Sequence, residues 1–228
     1  MKKRIFSTII AVGASLILFL GENACGFGTI TAHASEFSSD SITIDNVYTI
    51  PDGYDWCTYY VVVATNNTGK DIAIGADFVA VDGDSQVLSQ VHDYSEAVKK
   101  GQQFILYGQF KNEDIDSAKN FDYNLKVAET DNCTYSSVNL DAAKEVEGDG
   151  LQVQATNYSE HDIQGVGVRT VFLKDGEPVA FDTVNIADVG YVFHGGSTNS
   201  QVVGINAGQY DDYIMTYTSA GNTSSADF

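Results

Sequence analysis

Proline, tryptophan, cysteine and basic residues are all scarce in this 228-residue chain. It has two prolines, one tryptophan, three cysteines and 12 Lys and Arg against 31 Asp and Glu, for a formal net charge of −19. A negative field of that size repels phosphate backbones and anionic lipid, which argues against binding to nucleic acid or to a membrane surface. Tyr, Phe and Gly are plentiful, at 13, 12 and 21 residues, and this composition is typical of β structure.

Motifs for metal binding and catalysis are also missing. His92, His161 and His194 are isolated from one another and from any cysteine, so none has the spacing of a metal-ligand pair. Asp82 and Asp84 flank a glycine as in part of a calcium loop, but the bidentate Glu of such a loop is absent. We therefore predict no catalytic residue, no cofactor and no metal site.

The first 34 residues have the layout of a signal peptide. A basic start, Met1-Lys2-Lys3-Arg4, precedes an apolar run, and Ala32-His33-Ala34 provides a small-residue cleavage site, so we place cleavage after Ala34. Lipid attachment at Cys25 is disfavoured, because Glu22 stands where such sites carry an apolar residue. The sequence predicts a secreted, extracellular or cell-envelope-associated protein with no membrane insertion after signal removal.

An internal repeat organises the rest of the chain. The segment from Val62 to Ile72 aligns without a gap on the segment from Val153 to Ile163, with six identities in eleven positions at an offset of 91 residues. Such agreement indicates a duplicated unit. The predicted organisation is a signal peptide (1–34), a first β-sandwich module (35–134), a second module (135–219) and a flexible tail (220–228).

Alternation of apolar and polar residues predicts strands with one buried face. In the second copy Leu151, Val153 and Ala155 should point inward, and Tyr60, Val62 and Ala64 are their first-copy equivalents. Val61 and Val63 make the opposite face of the first copy apolar as well. We therefore expect that face to be covered, by the other module or by a partner.

Turn residues divide each copy into six or seven short strands. Asp82-Gly83-Asp84 and Asp175-Gly176 stand between alternating runs and predict hairpin turns, whose register is open by one residue. Asn66 and Asn157 end strands in turn-forming sequences; they also fit a glycosylation acceptor, an alternative that we favour less. With no amphipathic helix in view, the predicted fold class is all-β, with two tandem immunoglobulin-like β-sandwich modules.

The first copy resembles the FxLYD family of small secreted β-sandwich modules. Phe78-Val79-Ala80-Val81-Asp82 keeps the Phe and the Asp of that motif, and the stretch from Val98 to Phe104 follows the hairpin. The second copy has Thr170-Val171-Phe172-Leu173-Lys174 at this place and is further from the pattern. The resemblance implies the β-sandwich fold and no particular activity, because functions in this family are mostly unassigned.

Two features remain as candidate sites. Cys57 and Cys133 lie near the two ends of the first module. We favour a disulfide between them, which would stabilise the module by about 4 kcal/mol, over the alternative of two buried free thiols. Trp56, Tyr59 and Tyr60 form an aromatic group that could contact an extracellular protein, peptide or glycan, although core packing is the commoner role for such residues.

We thus predict a non-catalytic binding or interaction protein. The alternatives are an extracellular hydrolase acting on a polymer through an acidic residue pair, and a structural spacer.

Overall fold

The computed structural model describes residues 41–145 and 148–222, and this part of the chain is all-β with antiparallel pairing throughout. The predicted signal peptide and residues 223–228 lie outside it. The described residues contain no helix with the length and apolarity needed to span a membrane. The strands are β1 (Ile42–Pro51), β2 (Cys57–Asn66), β3 (Ile72–Val81), β4 (Val87–Val98), β5 (Gln103–Lys111), β6 (Asn120–Glu129), β7 (Val138–Lys144), β8 (Leu151–Asn157), β9 (Ile163–Gln164), β10 (Val166–Lys174), β11 (Glu177–Ile186), β12 (Val192–Phe193), β13 (Thr198–Val203) and β14 (Asp212–Thr218).

The first half of the chain forms two three-stranded sheets with a core between them. The strand orders are β1-β2-β5 and β4-β3-β6. Val62 and Ala64 of β2 are buried against Ile74 and Phe78 of β3, and Tyr60 packs against the same cluster. The inward set predicted from alternation is confirmed.

The second half has the same arrangement of two three-stranded sheets and one additional short pair of strands. Its sheets have the orders β13-β8-β7 and β11-β10-β14, and β9 pairs with β12. Leu151, Val153 and Ala155 are buried in its core, as predicted. Ile163 pairs with Phe193 in the second half as Ile72 pairs with Val98 in the first.

The outer faces of two sheets pack against each other, so the sheets stack in four layers. Val61, Val63 and Ile105 of the first half meet Val171 and Phe181 of the second in a third apolar cluster. The expectation that the second apolar face of β2 is covered is therefore confirmed, and the cover is the other half of the same chain. Burial on both faces explains why β2 lacks the polar alternation of β8.

A largely buried ion pair also joins the two halves. Arg169 of β10 donates from Nη1 to Oδ2 of Asp93 at 2.7 Å and from Nη2 to Oδ1 at 2.8 Å, and it also donates to the carbonyls of Ile105 and Tyr94. The guanidinium lies 5.1 Å from the centre of the Tyr107 ring. Burial raises the pKa of Asp93, whereas Arg169 and the Tyr107 amide favour the carboxylate. Bidentate pairing fixes the relative position of the two halves.

Asn66 and Asn157 hold equivalent turns through the same hydrogen bonds. Both side chains are fully buried. Nδ2 of Asn66 donates to the carbonyls of Lys70, Val98 and Lys99, at 2.8, 3.1 and 3.1 Å. Nδ2 of Asn157 donates to the carbonyls of His161, Phe193 and His194, at 2.9, 3.2 and 3.2 Å. The two amides are thus part of the turns, in agreement with the turn interpretation of these positions.

The two hairpin turns differ in length. Asp175 and Gly176 have φ angles of 53° and 84°, and Lys174 pairs directly with Glu177, as in a two-residue turn. The first copy pairs Val81 with Val87 and therefore has a five-residue loop, not the tight turn expected around Gly83. Oδ1 of Asp82 accepts bonds from the amides of Asp84 and Gln86, at 2.9 Å each, which stabilises the longer loop.

Two local predictions need correction. The single strand expected over residues 163–173 is divided between β9 and β10 at Gly165, where the Asn185 side chain occupies the space that a Cβ atom would need. The chain also stays bonded beyond residue 219: Ala220 bridges to Cys133, and Gly221 bridges to Ile163. Residues 220 and 221 are therefore part of the β structure and not of a flexible tail.

Candidate ligand-binding groove

The aromatic group predicted as a ligand surface does not share one face. Tyr59 and Tyr60 are neighbours on a strand and point to opposite sides. Tyr60 packs against Phe78 and stacks on Phe121 at 5.3 Å, and burial raises its pKa to about 12. Trp56 lies in the β1–β2 loop and is 57% exposed. The structure thus assigns Tyr60 to the first core and Tyr59 to the opposite face of β2.

Tyr59 lines a small cavity between the halves, of about 200 Å³. Its ring contacts Phe181 edge-on at 5.2 Å, and burial, followed by a hydrogen bond to Cys57, raises the pKa of its hydroxyl. Asp52 and Asp182 are also in the wall, but their carboxylates bind backbone amides. Oδ1 of Asp52 accepts from Trp56 N at 2.7 Å, and Oδ2 of Asp182 accepts from Gly204 N at 2.7 Å. These carboxylates therefore cap turns of the backbone.

The predicted disulfide between Cys57 and Cys133 is wrong, because both are free thiols. Cys57 begins β2, whereas Cys133 lies close to Asp71 and Lys99, at the Asn66 end of that strand. A ten-residue strand is about 30 Å long, far beyond the Cα separation that a disulfide spans. Burial raises the pKa of both thiols, which lowers their reactivity.

A polar cleft of about 320 Å³ adjoins the Arg169–Asp93 ion pair. Ser95 and Glu96 lie in its wall, and Ser95 Oγ and Glu96 Oε2 are buried without a hydrogen-bond partner among the described residues. Arg169 directs both terminal nitrogens to Asp93 and to backbone carbonyls. It therefore serves the junction of the halves and has no terminal nitrogen directed to a ligand.

A wider groove, of about 480 Å³, runs between β7 and β14 and reaches the turn before β5. We call it the tyrosine groove. Its volume is in the range of ligand sites. The lining residues are Gly101, Gln102, Gln103, Tyr135, Leu140, Ala142, Tyr213, Met215, Thr216 and Tyr217.

The groove is held in shape by its aromatic side chains. Tyr135 and Tyr217 stack with their ring centres 4.3 Å apart and their planes 13° apart. The Tyr217 hydroxyl donates to the Val138 carbonyl at 3.0 Å, and burial raises its pKa. Tyr213 and Met215 follow on the same face of β14, because alternate residues of a strand share a face. Tyr213 is 38% exposed, so the groove presents one free ring beside a fixed pair.

None of the ten lining residues is charged, although 19% of the chain is. The hydrogen-bonding groups in the lining are phenols, amides and a hydroxyl. Such a surface matches a neutral occupant with polar edges and apolar faces, because burying a charge against it would leave that charge without a partner.

The edge strand at the groove is partly blocked. Tyr217 O accepts a bond from Gln102 Nε2 at 2.6 Å, and Tyr213 N donates to Oδ1 of Asp212 at 2.8 Å. A strand that has lost free backbone groups is a poor template for adding another strand. The groove therefore offers side chains to a ligand more readily than backbone.

The tyrosine groove was not predicted from the sequence. Its residues come from the turn before β5 and the first residue of that strand, from the turn before β7, from β7 and from β14, and no local motif links them. The one available signal was the repeat of Asp122-Tyr123 as Asp212-Tyr213, which places Tyr213 on a strand face without showing what lies opposite. Within the described residues no group of three or more His, Cys, Asp or Glu could hold a metal ion.

Together, these features define an all-β, sandwich-like protein with an open, uncharged aromatic groove. No family model matches the chain, and no curated protein matches it either. Two solved structures are similar in part. One is red sea bream transglutaminase, with 10% identity and a TM-score of 0.26 over 78% of this chain and 27% of that protein. The other is a β-glucuronidase of glycoside hydrolase family 2, with 14% identity and a TM-score of 0.18 over 74% and 20%. The chain spans about a quarter of the transglutaminase.

Proposed function

We propose that this chain is an exported, non-catalytic binding protein, and that the tyrosine groove is its contact surface. The observation that carries the proposal is an uncharged groove with an exposed tyrosine in a strongly acidic protein. Tyrosine offers a rigid contact area, because ordering its two side-chain torsions costs little entropy. A groove on a rigid sheet edge keeps this area in place before the ligand arrives.

The fold proposed for this function is a duplicated immunoglobulin-like β-sandwich related to the FxLYD modules. Support comes from the equal strand order in the two halves and from the matching bonds of Asn66 and Asn157. The proposed location outside the cell, free or at the envelope, rests on the sequence of residues 1–34. The expected partners are an extracellular protein, peptide or glycan.

A mixed array of glycans and peptides tests the proposal with the secreted chain. We expect saturable binding that survives a chelator and leaves the bound polymer intact, with no release of fragments or new reducing ends. Polymer cleavage that is lost when Asp52 or Asp182 is changed to Asn would favour the hydrolase alternative. Absence of saturable binding to any array member would favour the spacer and overturn the proposal.

A further inference from the structure

One tyrosine position of the repeat is packed differently in the two copies. Tyr123 on β6 and Tyr213 on β14 are equivalent, since each faces a phenylalanine of the central strand, Phe78 or Phe172. The Tyr123 ring lies against Tyr60 and Phe78, with centres 6.3 and 6.2 Å apart. Among the described residues, the Tyr213 ring has no such ring neighbour and is 38% exposed. The same position is thus packed in one copy and open in the other.

The neighbours of Tyr213 are held in place by specific contacts, so the open ring lies beside a fixed aromatic surface. Tyr217 lies four residues further along β14, where it stacks on Tyr135 and donates a hydrogen bond to the Val138 carbonyl. Alternate residues from Tyr213 to Tyr217 cover about 13 Å of strand. That length suits a short chain of rings better than a single small molecule.

From this arrangement we infer that the tyrosine groove binds a neutral polysaccharide chain, which goes beyond the proposed binding function and rests on it. A sugar ring has an apolar C–H face and a rim of hydroxyls. The exposed Tyr213 ring matches the face, whereas the amides and phenols of the lining match the rim. Neutrality follows from the uncharged lining and from the net charge of −19, which repels anionic polymers.

A peptide strand fits the groove less well. Strand addition uses free N–H and C=O groups along an edge. At this edge Gln102 already binds the Tyr217 carbonyl and Asp212 already binds the Tyr213 amide. The ligand must therefore be recognised through side chains, as the aromatic and amide lining allows.

The experiment measures binding of the secreted chain to soluble neutral polysaccharides, namely a mixed-linkage β-glucan, a glucomannan, a xylan and a starch. Polygalacturonate serves as the anionic probe, and a peptide array is run in parallel. We expect at least one neutral polymer to bind, and polygalacturonate not to bind. Tyr213→Ala should weaken that binding about tenfold or more, Tyr213→Phe should keep most of it, and Tyr158→Ala, at a 72% exposed tyrosine outside the groove, should leave it unchanged.

The outcomes separate the two levels of the argument. Binding of a peptide but of no neutral polysaccharide, with loss in Tyr213→Ala, would overturn the glycan inference and leave the binding function standing. Polysaccharide binding that Tyr213→Ala does not weaken would overturn the groove as the site. No saturable binding to any probe would overturn both. Tyr213 lies on an edge strand and is 38% exposed, so we expect each of its variants to keep a cooperative thermal transition well above the binding temperature, which checks that they fold.

Discussion

Removal of the buried amide of Asn66 or Asn157 should destabilise the protein by the same amount. The perturbation is Asn66→Ala and, separately, Asn157→Ala. Each side chain is fully buried, and each one links its turn to a second loop by a hydrogen bond, to the Lys99 carbonyl from Asn66 and to the His194 carbonyl from Asn157. Alanine removes the side-chain amide, so the backbone carbonyls that accepted its hydrogen bonds lose their donor.

The magnitude follows from the bonds that are lost. Asn66 donates three hydrogen bonds from Nδ2 and accepts two at Oδ1 from Thr68. At about 1 kcal/mol net for each bond, less what water restores to the partly exposed carbonyls, the free energy of unfolding should fall by about 3–5 kcal/mol. Asn157 makes the equivalent set with Ser159 as its donor, so the expected loss is the same.

The assay is urea denaturation, in which the midpoint falls while the m-value stays constant. The control is Asn67→Ala, because Asn67 is exposed and its amide makes one side-chain bond, to Thr43 Oγ1. We expect this control to change the unfolding free energy by less than about 1 kcal/mol. A loss below about 1 kcal/mol in Asn66→Ala, or an equal loss in the control, would refute the reasoning.

An isosteric variant adds a pH test of the same idea. Asn157→Asp places a carboxylate oxygen against three carbonyl oxygens in a buried site, which raises the pKa of the new side chain in the folded state. A raised folded pKa means that the folded state holds the proton more tightly, so the variant is most stable at low pH. Its stability relative to wild type should decline as pH rises above about 4, the ordinary value for Asp, and level off above the raised pKa. A pH-independent difference between variant and wild type would contradict this account.

Three further experiments test other parts of the fold. Arg169→Met should lower the unfolding free energy by about 3–5 kcal/mol, measured by urea denaturation, because it leaves the Asp93 carboxylate buried without its cation; a loss below about 1 kcal/mol would contradict the role of the ion pair. Alkylation in denaturant without reductant should label both Cys57 and Cys133, as read by peptide mass spectrometry, whereas protection of both would indicate a disulfide. Gly176→Ala should lower the urea midpoint by an amount equivalent to about 1–2 kcal/mol, because Gly176 has a φ of 84°, which favours glycine. The matched control is Gly83→Ala in the first hairpin loop, which should change the unfolding free energy by less than about 1 kcal/mol.

The repeat and the alternation pattern predicted much of each half. Six identities in eleven positions placed Asn66 and Asn157 in equivalent turns, and alternation placed Val153 and Ala155 in the core. These features are local, because a strand's side chains alternate and a turn residue bonds to its own neighbourhood. The apolar Val61 and Val63 also indicated a covered face, although the sequence did not show whether the other module or a partner covers it.

Distances between elements were beyond the sequence. The spacing of Cys57 and Cys133 allowed a disulfide, but Cys57 begins β2 and Cys133 lies near the other end of that strand, which excludes one. Tyr59 and Tyr60 were grouped because they are adjacent, yet adjacent strand residues point apart.

The amino-acid sequence by itself determined the β-strands, their inward faces and the duplication, since each of these depends on residues that are near one another in the chain. Only the tertiary structure decided that the second half covers the first, that Arg169 reaches Asp93, and that Tyr135, Tyr213 and Tyr217 meet in one groove. The physical reason is that such contacts depend on how whole sheets pack, and packing joins residues that no local pattern relates.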